Sequence, residues 1–364
     1  MTARPASVSA RSRAIGAALL LVVTAAACST SSSSAAEPST AATTTSTTST
    51  TIAPTTTTVA PAVASPKPKV PTTGAYFGTW RGPGPGRPTD PRQNITDAEA
   101  AIGRKYAIDH QFYGWGAAIP SAYETWTAAH GRIPMVSLCA CKFETGTAVK
   151  WAAIASGKYD SYLSSIARGF VALKQPAFFV FDSEPERQSG LKGTAADYRA
   201  AFRHVVAVFR AKKADSVAFV FATTSYAFLP ESGQSALVKS FYPGDNVVDW
   251  VAADPYNFDT AGAWHSLSYE MGPWYAWAST LKKPLAFVEW GTKEDATQVN
   301  RKAMWFRAAL DVLDSRYKDV RAVVYFDERK HERGTINDWR IDTSPTSLSA
   351  FAEIAKSPWF RAHA

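Results

Sequence analysis

The feature that most constrains this chain is a recurrence. Short β-rich runs begin at residues 75, 107, 133, 177, 216, 248, 284 and 320, at intervals of 26 to 44 residues. Several, such as AFFVF at 177–181 and SVAFVF at 216–221, are nearly continuous apolar stretches. Such runs suit parallel strands buried on both faces, whereas a half-solvated antiparallel strand would alternate. Between them lie stretches with helical spacing. Thr194 with Asp197 predicts a capped helix start, residues 301–317 repeat apolar positions at helical period, and Thr96 with Glu99 predicts a capping box for the first helix. The interval between the fifth and sixth runs is weakest, with only a short SALVKSF segment. Eight strands alternating with helices over about 290 residues match the arithmetic of a single (β/α)8 barrel, predicted here over residues 73–364. The rival, an open doubly wound sheet, calls for a phosphate-binding glycine loop leading into a helix after the first strand. The first strand runs instead into Gly82-Pro83-Gly84-Pro85-Gly86, whose alternating prolines prevent that helix from starting.

Residues 1–28 read as an export signal. Arg4, Arg11 and Arg13 precede an apolar stretch over residues 14–27, which is too short for a spanning helix. It ends in Ala25-Ala26-Ala27-Cys28, resembling a bacterial lipobox in which Cys28 would be lipidated and anchor the protein to the membrane. The leucine usual three residues before the cysteine is replaced by Ala25, so plain secretion with nearby cleavage stays open. Residues 29–72 are almost wholly Ser, Thr, Ala and Pro, with too few large apolar groups to offset the entropy of ordering. They are expected to be a disordered linker spanning about 35–40 Å root-mean-square. An extracytoplasmic protein, lipid-anchored or secreted, is the expectation.

The net charge of +8 suggests a nucleic-acid partner, but its distribution argues otherwise. Five of the 39 basic residues and one of the 31 acidic residues lie before residue 73, leaving 34 and 30, a net of +4. No basic run or helical stripe occurs in that part, so a nucleic-acid partner is excluded. The six histidines (110, 130, 204, 265, 331 and 363) form no local pair, and no GxSxG elbow occurs, which argues against a zinc hydrolase or a serine esterase. No metal and no cofactor are expected. Cys139 and Cys141 are separated by one residue on a strand-like run, which makes a disulfide strained. They are expected to be packing or loop thiols, with a strained bridge as the alternative.

In barrels of this kind, chemistry sits at the C-terminal strand ends. The fourth run finishes in Asp182-Ser183-Glu184-Pro185-Glu186 and the seventh in Val288-Glu289-Trp290-Gly291. Two glutamates three βα units apart can face each other across the mouth, as an acid/base and a nucleophile must to cleave a glycosidic bond. Trp80, Trp115, Trp290 and Tyr256 lie at strand ends where sugar faces could stack, and Asp182 is a candidate neighbour of Glu184.

Segments in chain order carry a family resemblance: IASGKYD (154–160) leading to PAFFVFDSEPE (176–186), YPGDNVVDWVAADPYNF (242–258), KPLAFVEWG (283–291), and AVVYFDERK (322–330) with DWRIDTS (338–344). They resemble glycoside hydrolase family 26, retaining β-mannanases and related β-glycanases. The resemblance implies Glu184 as acid/base, Glu289 as nucleophile and Tyr256 as support for the nucleophile. It departs at Ser183, where the family has histidine, and at residues 185–190, where the family has aromatics. The implied function is retaining hydrolysis of a β-linked polysaccharide by a monomer. The alternative is a non-catalytic glycan-binding lipoprotein on the same barrel.

Overall fold

A computed structural model describes residues 66–258, 264–332 and 335–361. Residues 1–65, with the export signal, Cys28 and most of the expected linker, lie outside them. The eight predicted runs are the eight strands of a closed parallel barrel: β1 (Ala75–Arg81), β2 (Ile108–Tyr113), β3 (Ile133–Leu138), β4 (Ala177–Phe181), β5 (Val217–Thr224), β6 (Trp250–Asp254), β7 (Leu285–Phe287) and β8 (Val320–Asp327). Each pairs in parallel with the next, and β8 pairs with β1 to close the ring, Tyr76 opposite Ala322 through Arg81 opposite Asp327. The fold is a (β/α)8 barrel.

Alternation along each strand sorts the core into two sets. One set, including Tyr76, Ile108, Met135, Val180, Trp250 and Val324, fills the barrel. The complementary positions, such as Phe77, Phe179, Phe219 and Tyr325, face the helices. The helix Ala195–Ala211 illustrates the outer layer. Its Thr194–Asp197 capping box is formed in both directions, and Tyr198, Phe202, Val205 and Phe209 are buried along one face. Burial of each such side chain is worth about 1.5–3 kcal/mol. The first helix departs from expectation. It starts at Pro91 with Asp90 as its cap, so Thr96 falls inside it, bonded back to Arg92 O. Asp90 followed by proline at the first helical position satisfies the start six residues earlier. Glu99 is left to grip Arg132 and the backbone N–H of Tyr106.

Residues 66–72, expected at the end of the linker, lie against the barrel floor. Lys67 pairs with Asp249 at 2.7 Å just before β6, and Tyr76 OH donates to Lys69 O at 2.8 Å. The last described residues, Phe360 and Arg361, pair in parallel with Ala75 and Tyr76 at the same end. No described helix is long and apolar enough to cross a membrane.

Cys139 and Cys141 form a disulfide with Cα atoms 5.1 Å apart, which corrects the expectation of free thiols. Alternation does not oppose the bridge because β3 ends at Leu138. Beyond it the chain turns so that Ala140 is buried, its N–H donating to Asp182 Oδ1.

Candidate active site

Both candidate glutamates sit just past a break in strand alternation. In β4, Phe178 and Val180 face the barrel interior and Phe179 and Phe181 the helices. The backbone then turns left-handed at Asp182 (φ 48°) and again at Glu184 (φ 52°). Non-glycine residues rarely adopt this conformation, and it persists only where surroundings impose it. Asp182 supplies the restraint. It is 2% exposed, and its carboxylate accepts from Ala140 N (2.9 Å), the Trp151 indole N–H (2.6 Å) and Lys192 Nζ (2.6 Å). Asp182 is therefore a buried anchor for the turn and not a surface for substrate, which corrects the sequence expectation. Glu184 emerges from the turn with its N–H donated to Ala222 O, and its carboxylate accepts from Arg187 Nη1 at 2.9 Å.

In β7 the interior positions are Ala286 and Val288, so alternation alone would send Glu289 outward. The backbone bends at residues 288–289, and Glu289 instead meets the Tyr256 hydroxyl, which donates to Glu289 Oε2 at 2.7 Å. Pairing resumes beyond the bend, with Tyr256 opposite Gly291. Burial, then the charge of Glu184, pushes the Glu289 carboxyl up to about 7, while the Tyr256 hydroxyl, Lys330 and Arg187 pull the other way. The two glutamates thus share one electrostatic environment.

Two further carboxylates flank them and were not singled out from the sequence. Asp254, at the interior end of β6, is 3% exposed, and neither of its oxygens has a hydrogen-bond partner among the described residues. Burial, followed by the charges of Glu289 and Glu184, raises its carboxyl well above the ordinary value. Glu186 is buried with Oε1 accepting from both Thr224 N and Thr224 Oγ1, and burial plus the charge of Glu184 raises it to about 7. The signal for Asp254 lay in its strand-end place within WVAADPY, on the same parity as Trp250 and Ala252.

The aromatics divide sharply. Trp80 is half-exposed, its indole N–H on Glu328, and it begins a wall of rings running through Phe112, Phe326 and Tyr256 to Trp339, with neighbouring centroids 4.9–6.0 Å apart. Trp339 lies in the DWRIDTS segment, away from the strand ends at which the candidate aromatics are read. Trp290 and Trp115, by contrast, are packed away. Trp290 is fully buried among Trp305, Phe306 and Tyr325, because it points opposite to Glu289. Trp115 is 7% exposed beneath Tyr159 and Tyr162. Neither offers a face to a sugar, which corrects the sequence expectation. Trp290→Ala is accordingly expected to cost about 3–5 kcal/mol of stability in thermal unfolding. Trp80→Ala should leave unfolding nearly unchanged and raise KM roughly five-fold, the equivalent of about 1 kcal/mol of stacking. No group of three or more His, Cys, Asp or Glu side chains arranged for a metal ion occurs among the described residues.

No protein-family model matches the chain. Endoglucanase H of Acetivibrio thermocellus is 28% identical over 296 residues, which cover 77% of this chain and 30% of that protein. The chain therefore spans under a third of the length of that curated relative. Among solved structures, a GH26 β-mannanase from Bacteroides ovatus superposes with a TM-score of 0.58 at 17% identity, covering 80% of this chain and 90% of that one. The catalytic domain of a GH26 endo-β-1,4-mannanase from Bacillus sp. JAMB-750 gives the same TM-score and identity over 79% of this chain and 87% of that one. The chain resembles the family 26 glycoside hydrolases. The likeness to the solved structures is one of fold.

Proposed function

We propose that the chain is a retaining, endo-acting glycoside hydrolase that cleaves a β-linked polysaccharide of the glucan or mannan type outside the cytoplasm. The observation that carries this reading is the Tyr256–Glu289 hydrogen bond at the barrel mouth, with Glu184 close enough for its charge to raise the proton affinity of Glu289. Glu184 protonates the leaving oxygen while Glu289 attacks the anomeric carbon and forms a glycosyl-enzyme. Water then resolves that intermediate with Glu184 acting as base. Protonation of Glu184 removes the charge that disfavours ionised Glu289, so the two protonation states the first step needs favour each other. The burial of Tyr256 keeps its hydroxyl protonated and therefore a donor to the nucleophile. Trp80 and the ring wall behind it supply stacking surface for sugar rings on one side of the mouth.

A reducing-end assay over β-mannan, mixed-linkage glucan, cellulose derivatives and xylan tests the activity, and proton NMR of the first product tests the stereochemistry. Absence of turnover on every polymer overturns the hydrolase reading, and an initial product of inverted configuration overturns the retaining one. The relative named an endoglucanase supports including glucans beside the mannans.

The acid limb of kcat/KM should fall near pH 7, because the nucleophile must be deprotonated and its carboxyl is raised to about 7. Tyr256→Phe removes a donor that favours the carboxylate form. Its acid limb should therefore move to higher pH, and a limb that stays in place or moves down contradicts the assignment.

Export and anchoring through Cys28 complete the reading, supported by the lipobox-like residues 25–28. The wild-type protein should partition with membranes and Cys28→Ser should be released into the medium. Equal soluble recovery of the two forms would exclude the anchor.

A further inference from the structure

The mechanism leaves one buried titratable side chain unused. His110 lies inside the barrel on β2, fully buried, on the same parity as Ile108 below it. Both ring nitrogens are bonded: Nδ1 lies 3.1 Å from the carbonyl oxygen of Val288, and Nε2 lies 2.7 Å from Ser137 Oγ on β3. A carbonyl only accepts, so Nδ1 carries the proton, and Nε2 of the neutral ring accepts from the serine hydroxyl. Burial pushes the imidazole down to about 3, so the ring stays neutral throughout the working pH range. Phe112, a member of the ring wall, covers it at 4.2 Å between centroids.

The partner of Nδ1 gives the contact its meaning. Val288 is the residue at which β7 bends to bring Glu289 to the mouth, and regular alternation would have turned Glu289 away. The Val288 N–H is donated to Ala253 O on the neighbouring strand. His110 then holds the carbonyl of the same residue from across the barrel interior. The peptide plane joining Val288 to Glu289 is thus pinned at its oxygen, and the orientation of that plane sets the direction of the next side chain.

We propose that His110, oriented by Ser137, is a positioning residue for Glu289: its Nδ1–H holds the Val288 carbonyl and so fixes the bend that aims the nucleophile. This inference rests on the assignment of Glu289 as nucleophile. A histidine present only to fill the barrel would need neither a defined tautomer nor that carbonyl.

The test uses three replacements of one side chain, assayed on the polymer the wild type cleaves. Asparagine can place an amide donor where Nδ1 was, glutamine places its amide nearer the Nε2 position, and phenylalanine keeps the ring without a donor. His110→Phe and His110→Gln should lower kcat about 10- to 100-fold with KM within two-fold of wild type, the size of effect expected when a reacting group is misplaced by up to about 1 Å. His110→Asn should recover most of that loss. Nitrogen-15 NMR of the wild type should show Nδ1 protonated and Nε2 bare, with no titration above pH 5. Equal losses in all three variants reduce His110 to packing, and kcat within two-fold of wild type in His110→Phe overturns the proposal outright. Should His110→Phe fail to fold, Ser137→Ala decides. It removes the hydroxyl that orients the ring at Nε2, and an unchanged kcat together with equal kcat in His110→Asn and His110→Gln overturns the proposal. A wild type inactive on every polymer defeats the hydrolase reading and this role with it. An active wild type with indifferent variants defeats the positioning role alone.

Discussion

Glu289→Ala is expected to lower turnover of polysaccharide by on the order of 10^4-fold or more, since the proposed mechanism makes Glu289 the nucleophile and no glycosyl-enzyme forms without it. The melting temperature should stay within a few degrees, because the carboxylate sits at the half-buried mouth and its hydrogen-bond donor, the Tyr256 hydroxyl, can turn to water. Azide, small enough to enter the space left by the carboxylate, should restore part of the turnover with an activated aryl glycoside and yield a product of inverted configuration. Turnover within ten-fold of wild type, or azide rescue with retained configuration, would show that another group attacks the sugar.

Glu184→Ala should behave differently. Loss of the acid costs about 10^2- to 10^4-fold on polysaccharide, whose leaving oxygen must be protonated. It should cost far less on aryl glycosides whose leaving groups depart unaided. The same variant carries a second signature. The charge of Glu184 raises the proton affinity of Glu289, so removing it should move the acid limb for an activated substrate to lower pH, opposite to the shift expected for Tyr256→Phe. Equal losses on good and poor leaving groups would remove Glu184 from the acid/base role.

The frame of the molecule is legible in the sequence because barrel strands announce themselves by continuous apolar runs. Observed strand starts lie within two residues of those read from the sequence. The two glutamates are legible for a simpler reason: a carboxylate ending an otherwise apolar run is conspicuous. Their presentation is not. Extrapolated alternation pairs Glu184 with Asp182 and Glu289 with Phe287, yet both glutamates owe their direction to breaks in that alternation. The left-handed turn at Asp182 is held by Lys192, Trp151 and the Ala140 N–H, and the bend at Val288 is contacted by His110. All of these contacts are distant in sequence. Trp290 misleads for the same reason, since the bend that turns Glu289 to the mouth turns its neighbour into the helix layer. Asp254 carries the same strand-end signal as the two glutamates, while Glu186 lies beyond its strand and carries none; the perturbation of both emerges only once burial brings them beside Glu184 and Glu289. The disulfide is hidden because the apolar run continues past Leu138, where the strand itself stops.

The contact between Lys67 and Asp249 also sets a direction in space. Lys67 meets the barrel at its floor, as do Phe360 and Arg361, while Glu184 and Glu289 open at the opposite end. Whatever holds the residues before position 66 therefore holds the barrel by its base. In the proposed anchored form the tether joins the barrel at the end opposite Glu184 and Glu289, which leaves the mouth clear of its own attachment. Shortening the preceding segment would bring the cleft nearer the surface without turning it over.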